Sequence, residues 1–199
     1  MRIVDVDENI VRALERSEIT EKTKNFELCN FLAIEEKDGK IIAAGGIGGL
    51  FNVPSLYIAK KFQGQGIGKI LLRAIIEEAK RRGYSYISGS RNPENVRAIK
   101  LHDFYGFYPV FRIHYCPGWV RDVIILILRP KGKIVARFFS FFNMRFGTIL
   151  LSVALKIAKP LFGSVLTYPP EKFPNPSISY MIKNFEKLYV NHNTIAHNA

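Results

Sequence analysis

Phe62-Gln63-Gly64-Gln65-Gly66-Ile67-Gly68-Lys69 is the stretch on which the reading of this chain turns. It follows the strand-like VPSLYIAKKF (53–62) and runs into a segment whose apolar positions Ile70, Leu71, Ala74, Ile75 and Ala79 recur at helical spacing until Gly83 stops them. Glycines between a strand and a helix let the backbone approach a ligand closely, and the helix start supplies unpaired N–H groups and a positive dipole end. Physically this is a pyrophosphate cradle, although the same element also serves as a packing turn. It is not a nucleotide P-loop, because Lys69 is followed by Ile70. Nor is it a dinucleotide fingerprint. A third glycine is needed at 69 or 71, which are Lys and Leu, and no acid ends the next strand, YSYISGS (84–90).

Upstream, residues 1–6 alternate as a short strand, and Asp7 caps a helix over 8–17 with Ile10, Val11 and Leu14 inward. NFLAIEEKDGKIIAAGGIGGLF (30–51) reads as two strands joined by Asp38-Gly39, a tight hairpin pair. Downstream, Asn92-Pro93-Glu94-Asn95 opens a helix through about Phe104, ended by Gly106, and residues 108–116 and 120–128 are two more strands, the second carrying the buried-type run VIILIL. The order predicts a mixed α/β fold in which an antiparallel hairpin region feeds a parallel strand–helix–strand unit. Beyond Arg129, phenylalanine becomes frequent, acids almost vanish and prolines cluster at 169, 170, 174 and 176, which sets a boundary near Pro130.

The chain has 199 residues, a net charge of +12, 48% hydrophobic residues and two cysteines. That composition excludes disorder for most of the chain and allows a substantial core. Cys29 and Cys116 are too few for a disulfide framework and read as reduced thiols of a cytosolic protein. Histidines at 102, 114, 192 and 197 give no paired-ligand spacing, so no metal is expected. Residues 1–59 carry a net charge of −3 and residues 60–199 a net charge of +15, so a polyanion would meet the later part. The acidic start MRIVDVDENIVRAL is no signal peptide, which makes the expected location cytoplasmic. No apolar run reaches the roughly 20 residues of a spanning helix. The nearest approach, Phe138 to Leu155, is interrupted by Asn143 and Arg145.

Gln63-Gly64-Gln65-Gly66-Ile67-Gly68 resembles the Q/R-x-x-G-x-G/A acetyl-CoA signature of the GNAT superfamily of N-acetyltransferases. A second match follows in order: Asn95, Ala98, His102 and Gly106-Phe107 are similar to the family's N-x-x-A-x-x-x-Y-x-x-x-G-F. The resemblance covers roughly residues 1–129. It implies a GNAT-type, mostly antiparallel sheet flanked by helices, with residues 130–199 as a helical extension. It further implies that backbone groups of Leu56 and Ile58 bind the pantetheine arm of acetyl-CoA, and that the N–H groups of Gln63, Gly64, Gln65, Gly66, Ile67, Gly68 and Lys69 take the pyrophosphate. Asn95 would touch the pantetheine or the acceptor side. The strand carrying Ile58 would splay from the strand over 84–90.

Acetyl transfer needs a neutral amine, a stabilised oxyanion and a proton for the departing thiolate. The family's tyrosine register here holds His102, expected as proton donor or sulfur-side hydrogen-bond donor with a pKa near neutrality. The alternative for His102 is a packing role, and Tyr105 is the fallback donor. No Glu stands on the strand before Asn95, so deprotonation would run through water relayed by Ser90 or a backbone carbonyl. His114-Tyr115-Cys116-Pro117 with Asp122 resembles the acceptor hairpin of the ribosomal-protein N-terminal acetyltransferase branch, which implies that Tyr115 and Asp122 flank a peptide channel. The alternative reading is an edge-strand aromatic and a solvated strand start. Lys80-Arg81-Arg82 is read as a solvated helix end or a contact for the 3′-phosphate or nucleic acid.

The leading reading is therefore an acetyl-CoA-dependent transferase acting on a primary amine, a peptide N-terminus or a small molecule, with nucleic acid disfavoured as partner. A non-catalytic acyl-CoA-binding module and a membrane-associated acyltransferase are the alternatives. In the extension, apolar residues at 138, 142, 146, 149, 150, 153 and 157 form one helical stripe within 134–159. Its expected role is packing on the catalytic domain or on a twin subunit, or else lying on an anionic membrane surface. Ser177 is expected to cap a second helix to about Tyr189, giving a helical hairpin over the acceptor cleft.

Overall fold

Asp38 and Gly39, with φ of 52° and 72°, turn the chain back on itself so that Lys37 pairs with Lys40. This hairpin is the centre of the first of two compact units in a computed structural model that describes residues 1–20, 26–48, 53–116, 119–162 and 177–179. The first unit comprises residues 1–89 and 126–133, the second residues 90–125 and 134–199. The compositional boundary near Pro130 thus falls within the first unit's second segment.

In the first unit, strands β1 (Arg2–Asp5), β2 (Cys29–Lys37), β3 (Lys40–Gly48) and β4 (Val53–Ile58) form a sheet in the order β1-β2-β3-β4. All three pairings are antiparallel, through Val4↔Leu32, Ala33↔Gly45 and Ala44↔Tyr57. Helix α1 (Glu8–Glu15) is capped by Asp7, whose carboxylate accepts from the Ile10 N–H, and it buries Leu14. Helix α2 (Ile67–Arg81) buries Leu71, Leu72, Ile75, Ile76 and Ala79; Leu71, Ile75 and Ala79 are expected from its periodicity, whereas Ile70 is exposed and Leu72 and Ile76 take the inward face instead. Phe31, Leu32, Ala33, Ile34, Ala43, Ala44 and Ile47 are buried in the central strands. Each fully buried Leu, Ile or Phe stabilises by about 1.5–3 kcal/mol.

Strand β5 (Tyr86–Arg91) begins in the first unit and ends in the second, which also holds helix α3 (Val96–Phe104) and strand β6 (Tyr108–Cys116). With β7 (Trp119–Ile127) and β8 (Ser177–Ser179) these strands form a second sheet in the order β5-β7-β6-β8. β4 and β5 end different sheets, so the expected parallel strand–helix–strand pairing is not made. The described registers are all antiparallel, as the family resemblance implied.

The single stripe expected over 134–159 is two helices, α4 (Gly132–Phe141) and α5 (Arg145–Phe162), bent by 90°. The last carbonyls of α4 are taken by tight i+3 bonds from Phe142, Asn143 and Met144. The Thr148 hydroxyl then donates to the carbonyls of Phe142 and Met144 at 2.8 and 2.9 Å. Gly147 permits the corner, since a Cβ there would stand 2.1 Å from the Phe141 carbonyl oxygen. A second correction falls at Ser177. It pairs with His114 as the first residue of β8 rather than capping a helix; the rest of that expected helix, and the proline-rich link before it, lie outside the described residues.

Candidate active site

A short helical turn, Lys60–Phe62, joins β4 to the glycine loop, and two glutamine side chains fold the loop back on it. Gln63 Nε2 donates to the Ile58 carbonyl at 2.9 Å, and Gln65 Nε2 donates to that of Lys61 at 3.3 Å. Gly64 and Gly66 hold φ of 82° and 80°, and a Cβ on either would meet nothing within 4 Å. Backbone conformation therefore demands glycine here, while the outer face of the loop is open. Side chains cap α1 and α3, but none caps α2 at Gly66, and no acid stands in its first turn. Its leading N–H groups precede the first intrahelical bond, which Lys69 donates to Gly66 at 3.0 Å. This end of α2 is dressed for an anion.

β4 is the terminal strand of its sheet. The Ala59 N–H donates to Ile42 across the β3 side. Because successive peptide groups of a strand alternate between its two edges, those of Leu56 and Ile58 face the edge away from β3. The Gln63 bond to the Ile58 carbonyl is made on that edge. Strand, loop and helix start are thus tied together within the first unit.

In the Lys80-Arg81-Arg82 run the two arginines serve structure, and Lys80 is exposed. Arg81 and Arg82 both donate to the buried Glu78 at 2.6–2.7 Å; Arg82 also reaches Asp5 at 2.6 Å and lies 4.6 Å over the Phe31 ring. The hydrogen bond from Arg81, followed by that from Arg82, overrides desolvation and holds the Glu78 carboxyl down at about 2.

In the second unit the Asn95 side chain accepts from the Ala98 N–H at 3.0 Å and caps α3. His102 and Tyr105 follow on the same helix, which Gly106 ends with φ of 80°. The His102 ring meets buried Phe107 edge-on at 5.2 Å, and its Nδ1 is buried without a hydrogen-bond partner. Burial, helped by the charge of Arg91, pushes the imidazole down to about 4, against the opposing pull of the Ala98 carbonyl and Asp103. The expectation of a near-neutral pKa is therefore corrected: at neutral pH the ring is uncharged. Tyr105 closes the helix, its ring 5.0 Å from that of Phe104.

Arg91 went unrecognised in the sequence. It is the last residue of β5, 7% exposed, and donates to Asp103 at 2.7 Å, while its Nε is buried without a partner. Ending that strand at Ser90 hid it, and nothing local links Arg91 to an acid on the next helix. Asp122 corrects its alternative reading. It is 5% exposed within β7, stands opposite Arg112 on β6 and accepts from its Nε at 2.7 Å, so it is no solvated strand start. Tyr115 lies in β6, with its side chain outside the described residues.

The chain matches the model of the acetyltransferase (GNAT) family over residues 6–107, just over half its length. Among solved structures it is similar to the ribosomal-protein-S18-alanine N-acetyltransferase from Escherichia coli, at 19% identity and a TM-score of 0.51, over 64% of this chain and 94% of that one. It is likewise similar to the ribosomal-protein-alanine N-acetyltransferase from Brucella melitensis, at 19% identity and a TM-score of 0.52, over 64% of this chain and 99% of that one. At such identities the structural likeness is one of fold. With a glycine loop tying an edge strand to an uncapped helix inside the matched span, the chain belongs to the GNAT family of acetyltransferases.

Proposed function

We propose that this chain transfers the acetyl group of acetyl-CoA directly to a primary amine, and that the amine is the N-terminus of a peptide or protein. The observation that carries the reading is the strand–loop–helix junction, where positive-φ glycines and the uncapped start of α2 give main-chain donors for a pyrophosphate. The edge of β4 that faces away from β3 would take the pantetheine amides through Leu56 and Ile58. Acetyl-CoA supplies an activated thioester with a leaving thiol of pKa about 8.5.

His102 would then serve as a neutral N–H donor toward the sulfur side, since its burial disfavours the imidazolium needed to deliver a full proton. Tyr105 is the remaining candidate proton donor. The residues of β5 and α3 include one acid, Asp103, and it is committed to Arg91. With no side-chain base supplied there, an α-amine of pKa about 7.7–8.0, partly neutral in neutral solution, is a better acceptor than a lysine at about 10.4. The names of the two structural neighbours agree with such an acceptor. Asp122 would act through Arg112, as a positioning residue for the acceptor strand pair.

Thiol release from acetyl-CoA, measured with N-terminal peptides, lysine side-chain analogues, polyamines and amino sugars, tests the proposal. Turnover greatest with peptides bearing a free α-amine is expected. Turnover confined to small amines would overturn the acceptor assignment. Acetyl-CoA binding without turnover on every amine would overturn the enzymatic reading in favour of an acyl-CoA-holding module.

A further inference from the structure

Helices α4 and α5 each leave an apolar face outward. On α4, Ala136 and Phe139 are buried, the latter 6.2 Å from Phe111, while Ile134 and Phe138 one turn apart are exposed. On α5, Gly147 and Thr148 face inward, and Phe146, Ile149, Val153 and Ile157 occupy one helical face with exposures from 48% to 75%. Across two helices meeting at 90°, this is a contiguous apolar elbow of a kind that monomeric proteins rarely leave in water. Neither helix is long and apolar enough to cross a bilayer alone.

Charge identifies what the elbow meets. No Asp or Glu occurs between Asp122 and Glu171, whereas Lys133, Arg137 and Arg145 on these helices are exposed. A second copy docking elbow to elbow would bring like charges together with no acid to neutralise them, and a nucleic acid would leave the aromatic face unmatched. An anionic bilayer complements both features: acyl chains receive Phe138, Phe146 and Ile157, and headgroup charge meets the arginines. We propose that the α4–α5 elbow is a peripheral anchor that seats this acetyltransferase on an anionic lipid surface.

Flotation of the full chain with vesicles tests this. Binding is expected to phosphatidylcholine vesicles containing about 30% phosphatidylglycerol, not to phosphatidylcholine alone, and it should weaken sharply at about 0.5 M salt. Removing Arg137 and Arg145 together as Arg137→Gln and Arg145→Gln should lower the association constant about 25-fold, roughly fivefold per charge. Phe138→Ser with Phe146→Ser should lower it tenfold or more while lowering the melting temperature by only a few degrees, because both rings are more than half exposed and keep only partial contacts with Phe142 and Phe141. No binding to anionic vesicles, binding indifferent to lipid charge, or full binding by the serine variants would each overturn the proposal. So would a stable dimer in sedimentation that the serine substitutions dissolve, which would make a second copy the occupant.

Discussion

The glycine loop before α2 and the helix that carries His102 each hold candidate site residues, and they are built in opposite ways. The loop offers main-chain groups. Its conformation is written in Gly64 and Gly66, its two glutamines bond within five residues, and its surroundings are open. The α3 region offers side chains whose properties come from burial: Arg91 reaches twelve residues forward to Asp103, and the ring of His102 is pressed on Phe107. A main-chain site survives most side-chain changes, whereas a buried ionisable cluster fails when one partner is removed.

The sharpest way to break that contrast is Asp103→Ala. It leaves the buried Arg91 guanidinium uncompensated and should destabilise the fold by about 3 kcal/mol, read in a denaturant titration. Arg91→Met with Asp103→Leu, which removes both charges, should recover much of the loss; no recovery would show that packing, not charge, sets the effect. His102 provides a second measure. The unfolded imidazole takes a proton below about 6.5, and the folded one refuses it until about 4, so stability should fall as pH drops through that window. The full effect is about 3 kcal/mol, and His102→Gln should remove it. Glu78 has the opposite chemistry. Its stabilisation is present above about 4.5 and fades as pH falls toward 2.

On the loop side, Gly66→Ala forces a left-handed alanine, which costs about 1–2 kcal/mol. It should raise KM for acetyl-CoA about tenfold with kcat little changed, since the lost interaction is one of binding. The smallest expected effect is on the pH profile of turnover. Between pH 6 and 9 the rising limb should follow the acceptor amine and be the same in His102→Gln; a limb that vanishes in the variant would restore His102 as a titrating catalyst. Arg82→Ala should likewise leave KM for acetyl-CoA unchanged while lowering the melting temperature, because its partners are Glu78, Asp5 and Phe31.

Much of the fold was legible because its signals are local. The Asp38-Gly39 turn, the Asp7 cap, the span of α2 and the glycine ending α3 all follow from dihedral preference and short-range hydrogen bonds. The loop between β4 and α2 was legible for the same reason. What failed depended on distance. One apolar stripe over 134–159 looked like one helix, because hydrophobic periodicity carries no record of the corner that Gly147 and Thr148 make. For Asp122 the alternative of a solvated strand start stayed open, because its partner Arg112 comes from another strand.

By itself, then, the sequence determined the places where backbone conformation is set by near neighbours: the hairpin, the start of α1, the ends of α2 and α3, and the glycine loop between β4 and α2. Tertiary structure alone decided which ionisable groups are buried, that His102 is neutral and Arg91 paired, and which face of α5 is left outward. Dihedral preferences act between neighbours in the chain, whereas desolvation and ion pairing depend on what the fold brings alongside.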